Sequence, residues 1–450
     1  MKNEILYREL RQRYPEFVYE AYHYEAQPEG LRVWFDFRMG DIVFHPESLI
    51  ERRQFLDFEI EKGGLERLVF DIGMVELVSY WKCACPPLVR VECGALTEGE
   101  VAFWRKLYWN GLGEFFYTNQ IDADSDSFIN FRVKESKSQR VKESEGQRVG
   151  EYLVPIGGGK DSVVTLELLR RAGKRIRPLI MNPRGATVEC ARIAGFPLNE
   201  VLVIRRKIDP TLLELNSKGY LNGHTPFSAM LAFYTRLASA LSGIPNVALS
   251  NENSANESTV LGTSVNHQYS KSLEFEDDFR DYCVTKFNYF SFLRPLSELQ
   301  IAMLFSRFTT YHDVFRSCNV GSKEDIWCGH CAKCLFAYII LSPFIAPDRL
   351  NEIFGKPMLD DLTLKHEFEQ LIGEAETKPF ECVGTVGEVR EALAMTIERW
   401  YSAEMPALLK DFQADKDYKD LNGLNELSCL GNLTPEEREI LQKACTEKNN

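Results

Sequence analysis

The sequence contains no long hydrophobic segment. No apolar run approaches the ~20 consecutive residues that a transmembrane helix requires, so a membrane span is not predicted. The first residues, from Met1 to Leu10, are charged and amphipathic and lack the apolar core of a signal peptide. We therefore expect a cytoplasmic protein.

An excess of positive charge is also absent. The 450 residues include 53 Lys and Arg against 66 Asp and Glu, which gives a net charge of −13. A broad nucleic-acid surface normally needs a basic face, so nucleic acid is not expected as a partner. An anionic substrate would have to be bound by cations that are placed locally.

The twelve cysteines do not form the pattern of a disulfide framework. Only four of them cluster, at Cys318, Cys328, Cys331 and Cys334. Structural zinc sites take four thiolates in tetrahedral geometry, and two-residue gaps let one turn supply neighbouring ligands. The spacing favours a structural Zn²⁺ in a reducing compartment over four free thiols, with His330 as an alternative ligand.

What is present is a globular composition, 44% hydrophobic and 12% aromatic, on a chain long enough for two or three domains. Residues 1–121 predict an N-terminal α+β domain. Strands are expected near 17–23, 31–37 and 41–44, and helices near 64–80 and 98–117, the second starting with a capping-box-like arrangement at Thr97. Residues 122–149 are polar, carry a short internal duplication and are interpreted as an exposed linker or loop. Residues 346–450 have mainly helical patterns, and the charged tail around Pro435 is expected to be solvated.

Residues 150–345 alternate strand and helix patterns, which predicts an α/β domain with a doubly wound parallel sheet. Strands are expected near 152–156, 177–182, 200–205 and 246–250. In such sheets ligands bind beyond the carboxyl ends of the strands. The polar segments that follow these strands are therefore the candidate site.

The first of these segments is a glycine loop, which consists of Gly157, Gly158, Gly159, Lys160, Asp161 and Ser162. Glycines admit a phosphate without Cβ clashes, and the helix that follows favours negative charge at its N-terminus. Lys160 would add positive charge, Ser162 a hydroxyl and Asp161 a contact to Mg²⁺. The spacing is not that of the Walker motif, which has four residues between its first glycine and Gly-Lys-Ser/Thr. A plain turn between strand and helix is the alternative.

Later segments supply further polar residues. They are Asn182 and Arg184, then His224, then Ser250, Asn251 and Glu252, and finally Asn266, His267, Tyr269 and Lys271. A solvated loop rich in turn-forming residues is one interpretation of the last two groups. Their density at the expected mouth of the crevice, with one His, one Tyr and one Lys close together, favours a binding site.

The order Gly-Gly-Lys-Asp-Ser resembles the PP-loop of ATP pyrophosphatases, which split ATP into AMP and pyrophosphate. That motif usually opens with Ser, and Gly157 takes its place here, so one phosphate-facing hydroxyl is missing. The loop and the four cysteines together also resemble the cyano-deazaguanine synthases of queuosine biosynthesis over about half of the chain.

A more extensive resemblance is to the UDP-N-acetylmuramoyl-L-alanyl-L-glutamate epimerases, the MurL family. It is carried by the β-rich N-terminal domain, the glycine loop, residues 250–255, residues 265–271 and the cysteine cluster. The resemblance implies a PP-loop fold and conversion of the terminal L-Glu of a UDP-linked muramoyl dipeptide to D-Glu in peptidoglycan synthesis. It also implies ATP and Mg²⁺ as cofactors, with release of AMP and pyrophosphate.

On this resemblance, the glycine loop binds pyrophosphate and Mg²⁺, and Asn182 lies near the adenosine. The acid/base candidates are His267 first, then Tyr269, Lys271 and His224. The candidate substrate contacts are Arg184, Ser250, Asn251, Glu252 and Asn266, and Lys271 is an alternative partner of the substrate anions. Other functions stay open: an amide- or nitrile-forming ligase, a tRNA thiolase, or a nucleotide sensor without chemistry.

Overall fold

The computed structural model describes residues 2–57, 62–136, 148, 150–260, 262–283, 287–401, 404–410, 412, 424, 426–428 and 431–447. Its helices are α1 Lys2–Arg13, α2 Lys62–Trp81, α3 Glu98–Gly111, α4 Gly113–Thr118, α5 Lys160–Arg171, α6 Gly185–Ile193, α7 Pro210–Ser217, α8 Phe227–Ser242, α9 Leu273–Cys283, α10 Glu298–Ser306, α11 Ala332–Leu341, α12 Pro347–Phe354, α13 Lys365–Leu371, α14 Val386–Trp400 and α15 Pro435–Thr446. Its strands are β1 Glu16–Gln27, β2 Gly30–Met39, β3 Ile42–Phe44, β4 Glu47–Glu51, β5 Leu88–Leu96, β6 Asn130–Glu135, β7 Glu151–Pro155, β8 Arg175–Met181, β9 Leu202–Lys207, β10 Asn246–Leu249 and β11 Asn288–Ser291.

The strands form one mixed sheet in the order β11-β10-β7-β8-β9-β4-β2-β1-β5-β6, with β3 paired to β2. β10 is parallel to β7, and β5 is parallel to β1 and to β6. β2 is antiparallel to β1, β3 and β4, and β4 is antiparallel to β9. The predicted α/β class is confirmed. The sheet nevertheless differs from a purely parallel one, because the hairpin strands of the N-terminal region continue it through the β4–β9 pair.

The strand order reverses at β7. The chain runs from β7 to its neighbour β8 and on to β9, and it later returns with β10 on the other side of β7. Open α/β sheets bind ligands outside the carboxyl ends of the strands at such a switch point. The glycine loop follows β7 directly, so the topology places it at this position.

One compact unit of the chain comprises Met1–Leu153, Leu202–Val247 and Ser264–Tyr289. Its core is rich in aromatic side chains: burial alternates along β2, and β1 contributes the buried residues Phe17 and Tyr19. The ring of Tyr19 lies 5.1 Å from that of Phe37 and 5.7 Å from that of Phe70, measured between centroids. Helix α3 begins with a capping box between Thr97 and Glu100, which confirms the start predicted from this spacing.

The other compact unit comprises Val154–Val201, Ala248–Thr263 and Phe290–Asn450. Every residue of α11 is buried, and this helix contacts α10, α12, α13 and α14. A helix that is apolar on all sides requires neighbours all round, which the surrounding helices supply. α5 in turn contacts α10 and α15.

Each unit is built from three chain segments. Residues 130–135 of the predicted linker form β6, which pairs with β5. Residues 137–147 and 149, which include most of the duplication, lie outside the described part of the chain. Within that part, no helix combines the length and the apolar character needed to cross a membrane.

The tail around Pro435 is not merely solvated. It forms α15, which begins with a capping box between Thr434 and Glu437. Leu441 on this helix is fully buried. The apolar residues of α15 are spaced along one face of the helix among many charged residues. The high charge of the segment explains why the sequence suggested a solvated tail.

Candidate functional site

The glycine loop connects β7 to α5 with little space for side chains. Gly158 has φ +83°, and a Cβ there would lie 3.0–3.1 Å from Ala186 and from the backbone nitrogen of Thr187. A Cβ on Gly159 would lie 3.3 Å from Ser317. A Cβ on Gly157 would meet no atom within 4 Å, so a small side chain fits there. The loop therefore holds its shape through glycine at two positions and is open at the third.

The N-terminus of α5 is suited to an anion. Gly159 is its N-cap and has no side chain to accept from the first-turn amides. By contrast, α3, α10, α14 and α15 all begin with a capping box. An oxygen of a phosphate can take the position that a capping side chain takes elsewhere. Ser162 directs its hydroxyl back to the carbonyl of Gly159, at 3.0 Å.

Lys160 is bound to protein carboxylates. It is 5% exposed, and its Nζ donates to Asp161 and to Glu298. Burial alone would lower the pKa of Lys160, but these two carboxylates raise it. Glu298 is equally buried, and its burial raises the pKa of its carboxyl to about 8, against the effect of Lys160. Glu298, which the sequence analysis missed, gives the loop lysine a fixed partner.

Glu298 has further acidic neighbours in the same unit. Asp161 and Glu252 raise the pKa of its carboxyl, and its backbone N–H donates to Glu388 Oε1 at 2.8 Å. Burial also raises the pKa of Glu388. The surroundings of Lys160 therefore hold several carboxyl groups, which is the donor type that Mg²⁺ prefers.

Asn182 and Arg184 are both exposed and directly precede α6. Asn182 follows β8 with φ +51°, a left-handed conformation that Asn tolerates better than most residues. Asp325, missed by the sequence analysis, accepts from the amide of Ala186 at 3.0 Å and thus caps this helix. A Cβ on Gly185 would lie 2.1 Å from that carboxylate. Asn182 and Arg184 are accessible to a ligand, whereas the N-terminus of α6 is already capped.

The segment after β10 is more buried than a solvated loop. Asn251 and Glu252 are 8% and 3% exposed. The Asn251 amide donates to Ser291 Oγ at 3.0 Å, and Arg294 donates to the carbonyl of Glu252 at 2.7 Å. Arg294 is itself fully buried and had no sequence signal. Asn251 and Glu252 are held by protein groups, and Ser250 is the most exposed of the three.

The four predicted cysteines converge. Sulfur–sulfur distances are 3.8 Å for Cys318–Cys331, 3.7 Å for Cys328–Cys334 and 3.5 Å for Cys331–Cys334. Tetrahedral zinc with Zn–S bonds of about 2.3 Å requires separations of about 3.8 Å. The four sulfurs form a group that could hold a metal ion. His330 is exposed and bonds through Nδ1 to the carbonyl of Cys328, so it is not one of this group.

The predicted acid/base residues lie in the unit that contains the aromatic core. Nδ1 of His224 is 3.2 Å from Oε2 of Glu114 on α4, and Nδ1 of His267 bonds to the same oxygen. The two imidazole centroids are 4.5 Å apart. The structure thus brings His224 and His267 together around Glu114, a residue for which the sequence offered no signal.

Charges and burial act strongly on this cluster. Burial, and after it the positive charges of His267, Lys82 and Lys271, lower the pKa of His224 to about 3. Lys82 donates to the carbonyls of Gly223 and His224, and burial lowers its pKa to about 8. His224 is consequently neutral at neutral pH.

The remaining candidates in this unit have different surroundings. Tyr269 is 5% exposed, and burial raises the pKa of its hydroxyl to about 12. Its ring lies 6.0 Å from that of Phe275. Asn266 accepts from the amide of Gln268 at 2.7 Å, which is a turn-forming contact. Lys271 is half-buried and ends the short 3₁₀ turn that begins at Tyr269.

Comparison with known proteins identifies the family. The family model of the MurL N-terminal domain matches residues 8–292, and that of the MurL C-terminal domain matches residues 314–435. The chain belongs to the MurL family. The resemblance predicted from the sequence is thereby confirmed. The first match includes the glycine loop and the histidine cluster, and the second includes the four cysteines.

Three curated relatives are named UDP-N-acetyl-alpha-D-muramoyl-L-alanyl-L-glutamate epimerase, and an epimerase is an isomerase. The protein of Xanthomonas oryzae pv. oryzae (strain MAFF 311018) is 38% identical over 78% of this chain and 79% of its own length. Those of Salinispora tropica and Micromonospora sp. are each 35% identical, over 79% and 77% of this chain and 79% of their own lengths. No solved structure matches this MurL chain.

Proposed function

We propose that this protein is an ATP-dependent epimerase of peptidoglycan biosynthesis. It converts the terminal L-Glu of UDP-N-acetylmuramoyl-L-Ala-L-Glu to D-Glu through a carboxyl-adenylate. Formation of the adenylate releases pyrophosphate, and its hydrolysis by water after the epimerisation releases AMP. The names of the curated relatives support the substrate and the stereochemical change. The observation that carries the activation step is the glycine loop at the switch point of the sheet, ahead of a helix without a capping side chain.

Adenylation has a clear physical purpose in an epimerisation. A carboxylate resists loss of the neighbouring Cα proton, because the carbanion would place a second negative charge beside it. Joining the carboxylate to AMP, with pyrophosphate as the leaving group, removes that charge and makes the carbonyl an electron sink. A decrease of about eight units in the pKa of the Cα–H corresponds to about 11 kcal/mol. This is a large share of the barrier reduction that enzymes achieve.

Residues of the glycine loop would bind the phosphates of ATP. The geometry at Gly158 and Gly159 leaves the backbone close to the helix N-terminus, and Gly157 is open toward a ligand. Asp161 is the candidate for the contact to Mg²⁺, which would neutralise the charge of the departing pyrophosphate. Asn182 and Arg184 are exposed at the end of the neighbouring strand and are candidates for the adenosine and for a substrate anion.

The surroundings of the acid/base candidates favour His267. A group that transfers protons at neutral pH works best with a pKa near that pH. The pKa of His224 is far below this range and that of Tyr269 far above it. His267 is hydrogen-bonded to Glu114, an arrangement that orients an imidazole for proton transfer. Lys271 would meet negative charge that develops on the substrate.

The zinc-type cysteine group would have a structural role. Its four sulfurs can complete a tetrahedral site, so no ligand position is left for substrate. The group lies at the start of α11, the most buried helix of its unit. We assign it to the stability of that unit.

The decisive experiment incubates the full-length protein with Mg-ATP and UDP-N-acetylmuramoyl-L-Ala-L-Glu. AMP is measured by chromatography, and the configuration of Glu is measured by chiral analysis after hydrolysis. We expect AMP and D-Glu in parallel. Absence of AMP would refute the adenylation step, and AMP without D-Glu would indicate a ligase that passes the adenylate to ammonia.

Two variants separate the two halves of the reaction. Asp161→Asn is expected to lower AMP formation about 100-fold or more, because it removes the metal contact at the phosphates. His267→Ala is expected to abolish exchange of the Cα proton with deuterium from D₂O while AMP formation continues. Asp313→Asn and His23→Ala, which lie outside the proposed site, are the matched controls. Full Cα exchange in His267→Ala would remove this histidine from the mechanism.

A further inference from the structure

The cluster of Glu114, His224 and His267 has a second property besides the proposed proton transfer. One ring nitrogen of each histidine and one carboxylate oxygen of Glu114 all lie within 4.8 Å of one another. Both imidazoles direct Nδ1 to the same oxygen, Glu114 Oε2. Three donor atoms of different side chains thus converge on one small volume.

The separation between His224 and Glu114 is suited to a metal ion, whereas His267 is in hydrogen-bond contact with the same oxygen and would have to move slightly apart from it. Metal–nitrogen and metal–oxygen bonds of about 2.0–2.2 Å, at angles between octahedral and tetrahedral values, place two ligand atoms about 2.8–3.6 Å apart. The distance of 3.2 Å from His224 Nδ1 to Glu114 Oε2 falls within this range. Two imidazoles and one carboxylate form a common donor set for first-row divalent metals, and they leave positions open for further ligands.

The same unit contains a useful contrast. Asp36 also binds two histidines, but His23 lies 2.7 Å from Oδ2 and His45 lies 2.8 Å from the other oxygen, Oδ1. The side chains of His23 and His45 are 38% and 57% exposed, whereas those of His224 and His267 are 19% and 11% exposed. In the Asp36 cluster the two histidines bind different carboxylate oxygens and are more exposed to water, so this cluster serves as the matched control.

Nearby positive charges limit the affinity of this group for a cation. Lys82 and Lys271 act electrostatically on His224 and would repel a bound metal ion. Glu114 supplies the compensating negative charge. We therefore expect weaker binding here than at the four thiols.

We propose that Glu114, His224 and His267 bind one divalent cation of the zinc class, which takes the place of the hydrogen bonds among them. The cation would compete with protons for the same three atoms. The site is distinct from the cysteine group and from the Mg²⁺ expected at the phosphates. Metal binding at this site is measured without substrate, so the result does not depend on the proposed epimerase activity.

The test uses full-length protein that has been treated with chelator and then titrated with Co²⁺. Thiolate-bound cobalt has a sulfur-to-metal charge-transfer band, whereas cobalt bound by nitrogen and oxygen lacks it. We expect wild-type protein to bind one cobalt without that band in addition to the sulfur-bound one. Glu114→Gln and His267→Ala should bind the cobalt ion that lacks this band at least tenfold more weakly. His23→Ala should bind that ion as wild type does.

A measurement on the wild-type chain covers the case in which these variants fold poorly. With ¹³C-labelled histidine, paramagnetic Co²⁺ should broaden the imidazole signals of His224 and His267 and leave those of His23 and His45 sharp. The proposal is overturned if folded Glu114→Gln binds the cobalt ion that lacks the sulfur band as tightly as wild type does. It is equally overturned if Co²⁺ leaves the His224 and His267 signals unchanged, or broadens all four signals alike.

Discussion

Replacing Gly158 by Ala should damage the glycine loop, whereas the same change at Gly157 should be tolerated. Gly158 has φ +83°, a conformation that costs an alanine about 1–2 kcal/mol. Its new Cβ would lie 3.0–3.1 Å from Ala186 and from the backbone of Thr187. Crowding against backbone adds about 1–3 kcal/mol. The total loss of unfolding free energy is therefore about 2–5 kcal/mol.

Gly157→Ala is the matched control, one residue away and with the same chemical change. Its Cβ meets no atom within 4 Å, so we expect the unfolding free energy to change by less than about 1 kcal/mol. Urea unfolding followed by fluorescence and circular dichroism measures both variants. Equal midpoints for Gly158→Ala and Gly157→Ala would refute the description of this loop.

The pair also tests the role of the loop in nucleotide binding. Gly158→Ala should lower ATP affinity, because the shifted backbone no longer presents its amides to the phosphates. Gly157→Ser restores the residue that opens the PP-loop motif in the resembling family, and it should bind ATP at least as tightly as wild type. Equilibrium dialysis with ATP and Mg²⁺ measures both affinities. Weaker binding by Gly157→Ser would contradict the open position inferred for residue 157.

Three further predictions concern the same unit. The pKa of Glu298 is raised in the folded protein, so this carboxyl loses its proton at a lower pH in the unfolded chain than in the folded one. The stability that Glu298 contributes below pH 4.5 is therefore lost as the pH rises toward 8. Glu298→Gln should flatten that decline by up to about 1.4 kcal/mol per pH unit, measured by urea unfolding from pH 5 to 8. Removal of metal by a chelator should lower the melting temperature of wild type more than that of Cys331→Ser, and equal shifts would exclude a metal at the thiols. Leu441→Ala on α15 should cost about 2–5 kcal/mol, whereas Leu362→Ala, at a side chain 63% exposed, should cost less than about 0.5 kcal/mol.

The spacing of apolar residues and the positions of glycines predicted much of the secondary structure. The strands β1, β2 and β3 and the helix α2 lie where apolar spacing predicts them. α3 starts where its capping box predicts. The predicted helix over 98–117 is in fact α3 and α4, separated at Leu112, because apolar spacing does not register a short break.

Some residues of the candidate site could be predicted from the sequence, and others could not. The loop residues and the four cysteines are contiguous or closely spaced, so their chemistry was readable without tertiary information. Glu298 and Glu114 lie far from their partners, at separations of 138 residues from Lys160 and 153 from His267. Nothing in the sequence around a single Glu in a helical pattern indicates that it pairs with a distant residue. Burial decided which candidates are held by protein groups, as with Asn251, and which are accessible, as with Arg184.

The sequence by itself determined the glycine loop, the zinc-type cysteine spacing and the resemblance to the MurL family, since each is recognised from short motifs whose own residues are close together in the chain. Tertiary structure alone decided the mixed sheet, the carboxylate partners of Lys160 and the meeting of His224 with His267 at Glu114. Strand pairing and ion pairing depend on distances between remote segments, and protonation depends on burial. Local patterns encode none of these quantities, because they arise only when the chain has folded.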